Sequence, residues 1–383
     1  MLPSATYRAP DFLDAAGRLG AEVVVGSEHR QAMSDEMGDR AVTLTLSKPD
    51  MAAEQIADLA SRSPLDAIVA VDDGGTPAAA AAAQRLGLRG NPPEAVARAR
   101  DKRAMREAFA QAGIPQPAYG DDVGFPRVLK PLTRSGSQGV IRADTPDQAR
   151  QAAERIRAIV GDPDAHILVE EFVPGEEVAV EGLLTGGALE ILAIFDKPDP
   201  LDGPYFEETI YVTPSRKPDP VLKEIEAMTA RAAAALGLTD GPIHAELRIA
   251  SETITVLELA ARSIGGLCSR SLRFGLGVSL EELILRHALG LPRDHMPREQ
   301  LASGVMMLPI PRAGVLEAVT GQEEARATPH IAGLEISIAP GKPVQPLPEG
   351  DRYLGFLFAK AETPEQVEQA LRQAHAHLGV DIV

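Results

Sequence analysis

The sequence predicts a multidomain protein in which an N-terminal α/β domain with a parallel sheet precedes α+β domains built on antiparallel strands. Three observations lead there. The chain has 383 residues, more than one ordinary core holds, since domains run to roughly 100–200 residues. Its first quarter alternates strand-like and helix-like segments, the pattern of a parallel sheet with crossover helices. Further on, Ile243–Ile249 and Thr253–Leu259 are apolar, strand-like runs that meet like a hairpin around Ala250-Ser251-Glu252.

The elements follow in order. The opening reads as a loop, a helix over Pro10–Leu19 and a strand over Glu22–Val25. A doubly wound domain wants a strand ahead of that helix, and we assign a very short one at Met1-Leu2 in preference to a chain that starts further upstream. Met51–Ser61 reads as a helix, Ala67–Val71 as a buried strand and Thr76–Leu86 as an alanine-rich helix. The AVDDGG turn after that strand lies where such folds place ligand-facing loops, and would equally serve as a plain tight turn. One long helix is expected over Pro92–Ala112, with proline near its start and Gly113 past its end. Strands are expected over Phe125–Lys130, Gly139–Ala143, Ile167–Phe172, Glu177–Leu184 and Glu190–Pro198, with a helix over Pro146–Val160 among them. Helices over Pro220–Leu236 and Leu280–Leu289 flank the hairpin. After Pro292, strands over Ser303–Ile310, Leu334–Ala339 and Tyr353–Ala361 and a helix over Pro364–Leu378 complete the reading.

The net charge of −17 disfavours a nucleic-acid partner, because like charges would have to be brought together. It leaves anionic substrates open, since a metal ion or a few local Lys and Arg side chains can reverse the field in a cleft. The single cysteine, Cys268, rules out a disulfide within the chain, fits a reducing compartment and reads as a small core residue. There is no apolar run of about 18 residues and no basic-then-apolar leader, so neither a spanning helix nor a secretory signal is expected, and the cytoplasm is the expected location.

The chemistry concentrates in an ordered set of residues. In FPRVLKPLTRSGSQGVIRA, a strand delivers Lys130 and a small, polar turn follows, Ser135-Gly136-Ser137-Gln138-Gly139. An inward lysine needs an anionic partner. Glycine-rich backbone lets N–H groups approach phosphate oxygens. Together they describe a flap over a nucleotide; alone, the stretch would equally suit a surface hairpin with a snorkelling lysine. Upstream lies Lys102. Downstream, ILVEEFVPGEEVAVEG presents Glu170, Glu171, Phe172 and Val173, then Glu177. Backbone leaving a strand offers a C=O and an N–H to a purine edge, and a nearby carboxylate accepts from ribose hydroxyls. Glu246 and Glu258 lie on the two hairpin strands, and buried carboxylates that repel one another call for a cation; hard oxygen ligands suit Mg²⁺. Arg262 offers a planar fork to phosphate or carboxylate. His244 shares a strand face with Glu246, two residues on, so it is a candidate for the same cavity.

This order closely resembles the ATP-grasp superfamily of carboxylate–amine (or carboxylate–thiol) ligases over nearly the whole chain. The resemblance implies the ATP-grasp fold: an N-terminal α/β domain over 1–92, a linking helix region over 93–117, a lid over 118–184, a catalytic subdomain over 185–292 and a C-terminal α+β domain over 293–383. It implies that Lys102 and Lys130 contact ATP phosphates beneath the Ser135–Gly139 loop. The Glu171 carbonyl and the Val173 N–H would hold adenine and Glu177 the ribose, while Glu246 and Glu258 would bind one or two Mg²⁺, with Mn²⁺ suited to the same oxygens. Arg262 would stabilise an acyl phosphate. The family often has E-x-N-P-R at this last motif; here it is Glu258-Leu259-Ala260-Ala261-Arg262, so water or Glu246 must replace the metal-binding Asn. The form E-x-x-A-R-x-x-G-G resembles the bacterial L-amino-acid ligases, which make dipeptides. Glu208 would then hold an incoming ammonium, Ser263–Gly266 (with Gly265 among them) a substrate carboxylate, and Ser269 and Arg270 would extend that surface. The implied reaction joins a small carboxylic acid, an amino acid above all, to an amine with formation of ADP and phosphate. The implied partners are small molecules, with a homodimer common among such enzymes. A biotin-carboxylase-like or purine-pathway ligase, and a nucleotide sensor without turnover, are the competing readings.

Overall fold

The computed structural model describes residues 1–2, 8–29, 40–250, 253–293 and 296–383. The N-terminal part holds α1 (Ala9–Leu19), the parallel pair β1 (Val25–Ser27) and β2 (Ala41–Thr43), α2 (Pro49–Ala60) and α3 (Thr76–Leu86). Here the sequence reading needs three corrections. The second strand lies at Val25–Ser27 rather than Glu22–Val25. Met1-Leu2 contributes only a parallel bridge from Leu2 to Ala70, and Ala67–Val71 forms no strand beyond that bridge. That run pairs too briefly to make a ladder, although Val71 is buried as expected.

The expected long helix is two: α4 (Pro93–Arg100) and α5 (Lys102–Ala112). Asp101 between them is extended, and its carboxylate accepts from the N–H groups of Arg103 and Ala104. An aspartate that caps a new helix outcompetes continuation of the old one. The break places Lys102 on the first turn of α5.

A three-stranded antiparallel sheet, β3 (Arg127–Pro131), β4 (Ile141–Ala143) and β5 (Ile167–Glu171), packs with α6 (Pro146–Val160) to form the lid. The expected strand Gly139–Ala143 begins only at Ile141, because Gly136, Ser137 and Gly139 all take positive φ in the turn before it.

The remainder is organised by one eight-stranded sheet. Its first half comprises β6 (Glu176–Thr185), β7 (Ala188–Lys197), β8 (Ile210–Thr213), β9 (Gly241–Ala250) and β10 (Thr253–Ala260), with α7 (Asp219–Leu236) against it. The short pair β11 (Arg273–Phe274) and β12 (Val278–Ser279) and helix α8 (Leu280–Ala288) follow. The C-terminal region adds β13 (Ala302–Leu308), β14 (Gly314–Thr320), α9 (Gln322–Ala327), β15 (Ile331–Ile336), β16 (Pro343–Val344), β17 (Gly355–Ala361), α10 (Pro364–His375) and β18 (Gly379–Ile382). Strand order across the sheet is β10-β9-β6-β7-β8-β13-β17-β15, so the C-terminal strands extend the same sheet. Strand β6 belongs wholly to this sheet, whereas the expected lid boundary at residue 184 would assign it to the lid. The sequence reading missed β2, β8, β11, β12, β14, β16, β18 and α9, and carried the last helix three residues too far.

Period-two alternation on β6 and β9 positions the site. Val178 and Val180 on β6, with Ala245 and Leu247 on β9, turn into the core under α7. Glu177, Ala179 and Glu181 take the other face and pair in register with Arg248, Glu246 and His244.

Candidate active site

A cavity of about 450 Å³ opens between the N-terminal part, the lid and the large sheet. It gathers Lys102, Lys130, Glu246, Glu258 and Arg262, together with Ser135, Gly136, Ser137 and Gln138 from the lid tip. Glu170, Glu171, Phe172, Val173 and Glu177 line it at the lid–sheet junction, and Glu208, His244, Gly265 and Gly266 line it toward the C-terminal strands.

Two expected members lie outside. Gly139 donates its N–H to the carbonyl of Pro348, which anchors the base of the lid tip on the C-terminal region. Ser263 is buried and its hydroxyl accepts from Arg8 at 2.8 Å. The expected cradle over Ser263–Gly266 is further reduced because the Ile264 N–H donates to Glu181 at 3.0 Å. Of the two residues expected to extend that surface, Ser269 is fully buried and Arg270 lines a different cavity.

The cations are fixed by acids that the sequence reading gave other roles or overlooked. Lys130 Nζ lies 2.6 Å from Glu170, whose other oxygen accepts from Arg106 at 2.5 Å. Burial alone would raise the Glu170 pKa, but Arg106 and Lys130 outweigh it and bring it down to about 2. Glu170 is therefore a support for Lys130. Arg106 follows Lys102 by four residues on α5, the spacing that shares a helix face, and this was the available signal for it. Lys102 Nζ donates to the Arg134 carbonyl at 2.7 Å and lies 3.3 Å from Glu258. Arg262 Nε donates to Asp73 at 2.8 Å, so the AVDDGG turn does face the site, through a carboxylate that aims the arginine.

A second charged group sits deeper. The Lys197 ammonium, which the sequence reading left without a role, lies 2.6 Å from Glu177, 2.5 Å from Glu208 and 3.2 Å from Glu246. One oxygen from each of these three glutamates falls within 4.8 Å of the others. That trio has metal-like spacing, yet Lys197 already supplies it with positive charge. Glu177 also accepts from Arg248 at 2.9 Å, which leaves lone pairs on a carboxylate held firmly in place. Burial lifts the Glu208 carboxyl to about 7, with Lys197 opposing the rise and Glu246 adding to it. His244 faces the cavity as the alternation predicts, with Nδ1 2.5 Å from Glu181. Burial would lower the His244 pKa, but the Glu181 carboxylate overrides it and raises it to about 9. Glu171 lines the cavity but turns its side chain to the Ala118 N–H, at 2.9 Å.

A lysine- and arginine-rich cleft beneath a glycine-turn lid, floored by facing glutamates, is what the sequence order led us to expect. Family models match residues 13–90 as an ATP-grasp N-terminal domain, 123–271 as an ATP-grasp domain and 306–383 as L-amino acid ligase C-terminal domain 2. The chain belongs to the ATP-grasp superfamily. This ATP-grasp protein superposes on an L-amino acid ligase from Bacillus licheniformis with TM-score 0.82 and 24% identity, covering 100% of this chain and 98% of the other. At that identity the likeness shows the fold. Alanine–anticapsin ligase of Bacillus subtilis is 28% identical over 265 residues, 61% of this chain and 56% of the relative. The uncharacterized protein y4rH of Sinorhizobium fredii is 25% identical over 308 residues, 76% of this chain and 63% of the relative. The aligned part thus spans less than two thirds of each of these curated relatives.

Proposed function

We propose that this protein is an ATP-dependent carboxylate–amine ligase acting on an amino acid or a related small carboxylic acid. The observation that carries the reading is the convergence of Lys102, Lys130 and Arg262 with Glu246 and Glu258 on one cavity under the lid. A carboxylate oxygen of the substrate attacks the γ-phosphorus of ATP, the bond to the β-phosphate oxygen breaks, and ADP leaves. The amine nitrogen then attacks the acyl carbon, phosphate departs and the amine loses a proton, giving an amide. Little covalent work falls to the protein, so catalysis is positioning and electrostatics. In this reading Lys102 and Lys130 hold phosphate oxygens and Arg262 steadies the acyl phosphate.

The donor set fits a divalent cation. Glu246 and Glu258 are register partners on β9 and β10, both line the cavity, and both offer hard oxygens. Glu246 keeps its negative charge because Lys197 and His244 outweigh the effect of burial. Bound there, one or two Mg²⁺ would neutralise charge on the phosphates. Ala260 lines the same wall without a ligand atom. In this reading adenine would lie along the Glu171–Val173 backbone, and Glu208, which accepts from Lys197 and Tyr211, would receive a substrate ammonium. The residues Leu201, Phe206, Glu208 and Tyr211 that line the cavity come from the loop and strand after β7, and these would set substrate choice. Water would hydrolyse the activated acyl group, and closure of the Ser135–Gly139 turn excludes it.

The match of the C-terminal region to the L-amino acid ligase family model favours this reading over the biotin-carboxylase-like and purine-pathway alternatives. The test is phosphate release from ATP and Mg²⁺ with a panel of amino acids, followed by mass spectrometry of the mixture. A carboxylate–amine pair that stimulates release and yields a condensation product supports the ligase. No stimulation by any pair supports a nucleotide sensor.

A further inference from the structure

A second cavity of about 400 Å³ lies at the other end of the large sheet, walled by β11, β13, β15, β17, α9 and the segment before β13. Its lining is basic in a chain of net charge −17: Arg270, Arg273, Arg298, Arg326 and Lys360 face it, against Glu299 and Glu335. Two of the five cations are neutralised locally. Arg270 is held by Asp11 through two bonds of 3.0 Å, and Lys360 pairs with Glu299.

Three arginines form no ion pair within 4.0 Å with a carboxylate among the described residues. Arg273 donates to the carbonyls of Arg270 and Leu272, Arg298 to that of Leu301 at 3.1 Å, and Arg326 to that of Leu334 at 2.5 Å. Carbonyls orient a guanidinium without cancelling its charge. Arg298 is half-buried, and burial lowers its pKa with only Glu299 in opposition. Guanidinium forks gathered round a concave space match the oxygens of carboxylate or phosphate.

We propose that this cavity binds a small oxyanion, at a site separate from the one under the lid. The chain between the two sites is short. Arg262, Ile264, Gly265, Gly266 and Cys268 line the first cavity, and Arg270, Ser271 and Arg273 the second. An anion that draws Arg273 and Arg298 together therefore bears on the turn carrying Arg262. The macromolecular alternative, a nucleic-acid strand, is opposed by the surrounding negative charge. The proposal stands independently of the ligase reading, because it uses no residue assigned to ATP.

Binding of citrate and of inorganic phosphate to the full chain is measured calorimetrically in three proteins: the wild type, Lys130→Ala, and the double variant Arg298→Gln/Arg326→Gln. We expect at least one of the two anions to bind the wild type and Lys130→Ala alike, and to bind the double variant at least tenfold more weakly. Whichever anion binds more tightly identifies the carboxylate or the phosphate source. A second readout needs no variant: phenylglyoxal modification of Arg298 and Arg326, mapped by mass spectrometry, should slow when the bound anion is present. The proposal is overturned by absence of binding for both anions, by equal binding in all three proteins, by loss in Lys130→Ala alone, or by unaltered modification rates.

Discussion

Glu170 carries one cation on each oxygen, and that arrangement makes a statement about acid stability. Its folded pKa of about 2 lies below the ordinary 4.5. The stabilisation is therefore complete above the unfolded value and is lost as pH falls from there toward the folded one. The gap corresponds to something on the order of 3 kcal/mol. Urea denaturation followed from about pH 6 to pH 2 should show this acid limb in the wild type and a flatter one in Glu170→Gln; parallel profiles would remove the pairing as its cause. The same contacts sharpen the expectation for Lys130→Ala. ADP formation should fall at least about 100-fold, as for loss of one preorganised electrostatic partner. Stability should fall by about 1–3 kcal/mol, because Glu170 keeps Arg106 but loses its second donor. Coupled measurement of ADP release and chemical denaturation separates the two effects, and near-normal turnover would take Lys130 out of the phosphate site.

At the scale of elements, the junction of α4 and α5 shows what local sequence conceals. A proline start and a glycine stop frame Pro92–Ala112 as one helix, and the stretch between contains no breaker. The break arises where Asp101 caps forward onto Arg103 and Ala104, and it goes with the packing of Lys102 toward Glu258 and Arg134, contacts distant in sequence. Asp101→Ala should cost about 1 kcal/mol in urea denaturation, and should raise KM for ATP if Lys102 holds phosphate. The strands that carry the candidate site were far more legible. Alternation on β9 placed His244 and Glu246 on one face, as found. Contacts between elements distant in sequence were not legible: nothing near Arg262 announces Asp73, and nothing near His244 announces Glu181. The short strand β8 was missed because its four residues sit in a run rich in proline and acids, and tertiary pairing with β7 and β13 defines it.

Across the whole molecule, the Asp73–Arg262 pair ties the N-terminal part to the large sheet. Asp73→Asn removes the charge but keeps the shape. We expect kcat/KM to fall by about 10–100-fold through misaim of Arg262, with the far-UV spectrum and melting unchanged; an unaltered rate would show that Arg262 aims itself. Among the described residues no helix is long and apolar enough to cross a membrane. The sheet itself has a further consequence for how the chain can be cut. β13 joins β8 through the partners Ser303 to Thr213 and Met306 to Ile210, so the family-model boundary near residue 306 runs through a hydrogen-bonded ladder. Removing everything after α8 would bare a four-residue strand edge and the apolar floor beside it, an invitation to intermolecular pairing. A chimaera that borrows its C-terminal third from a relative would have to reproduce the seam between those two strands, residue against residue, before any question of its specificity arose.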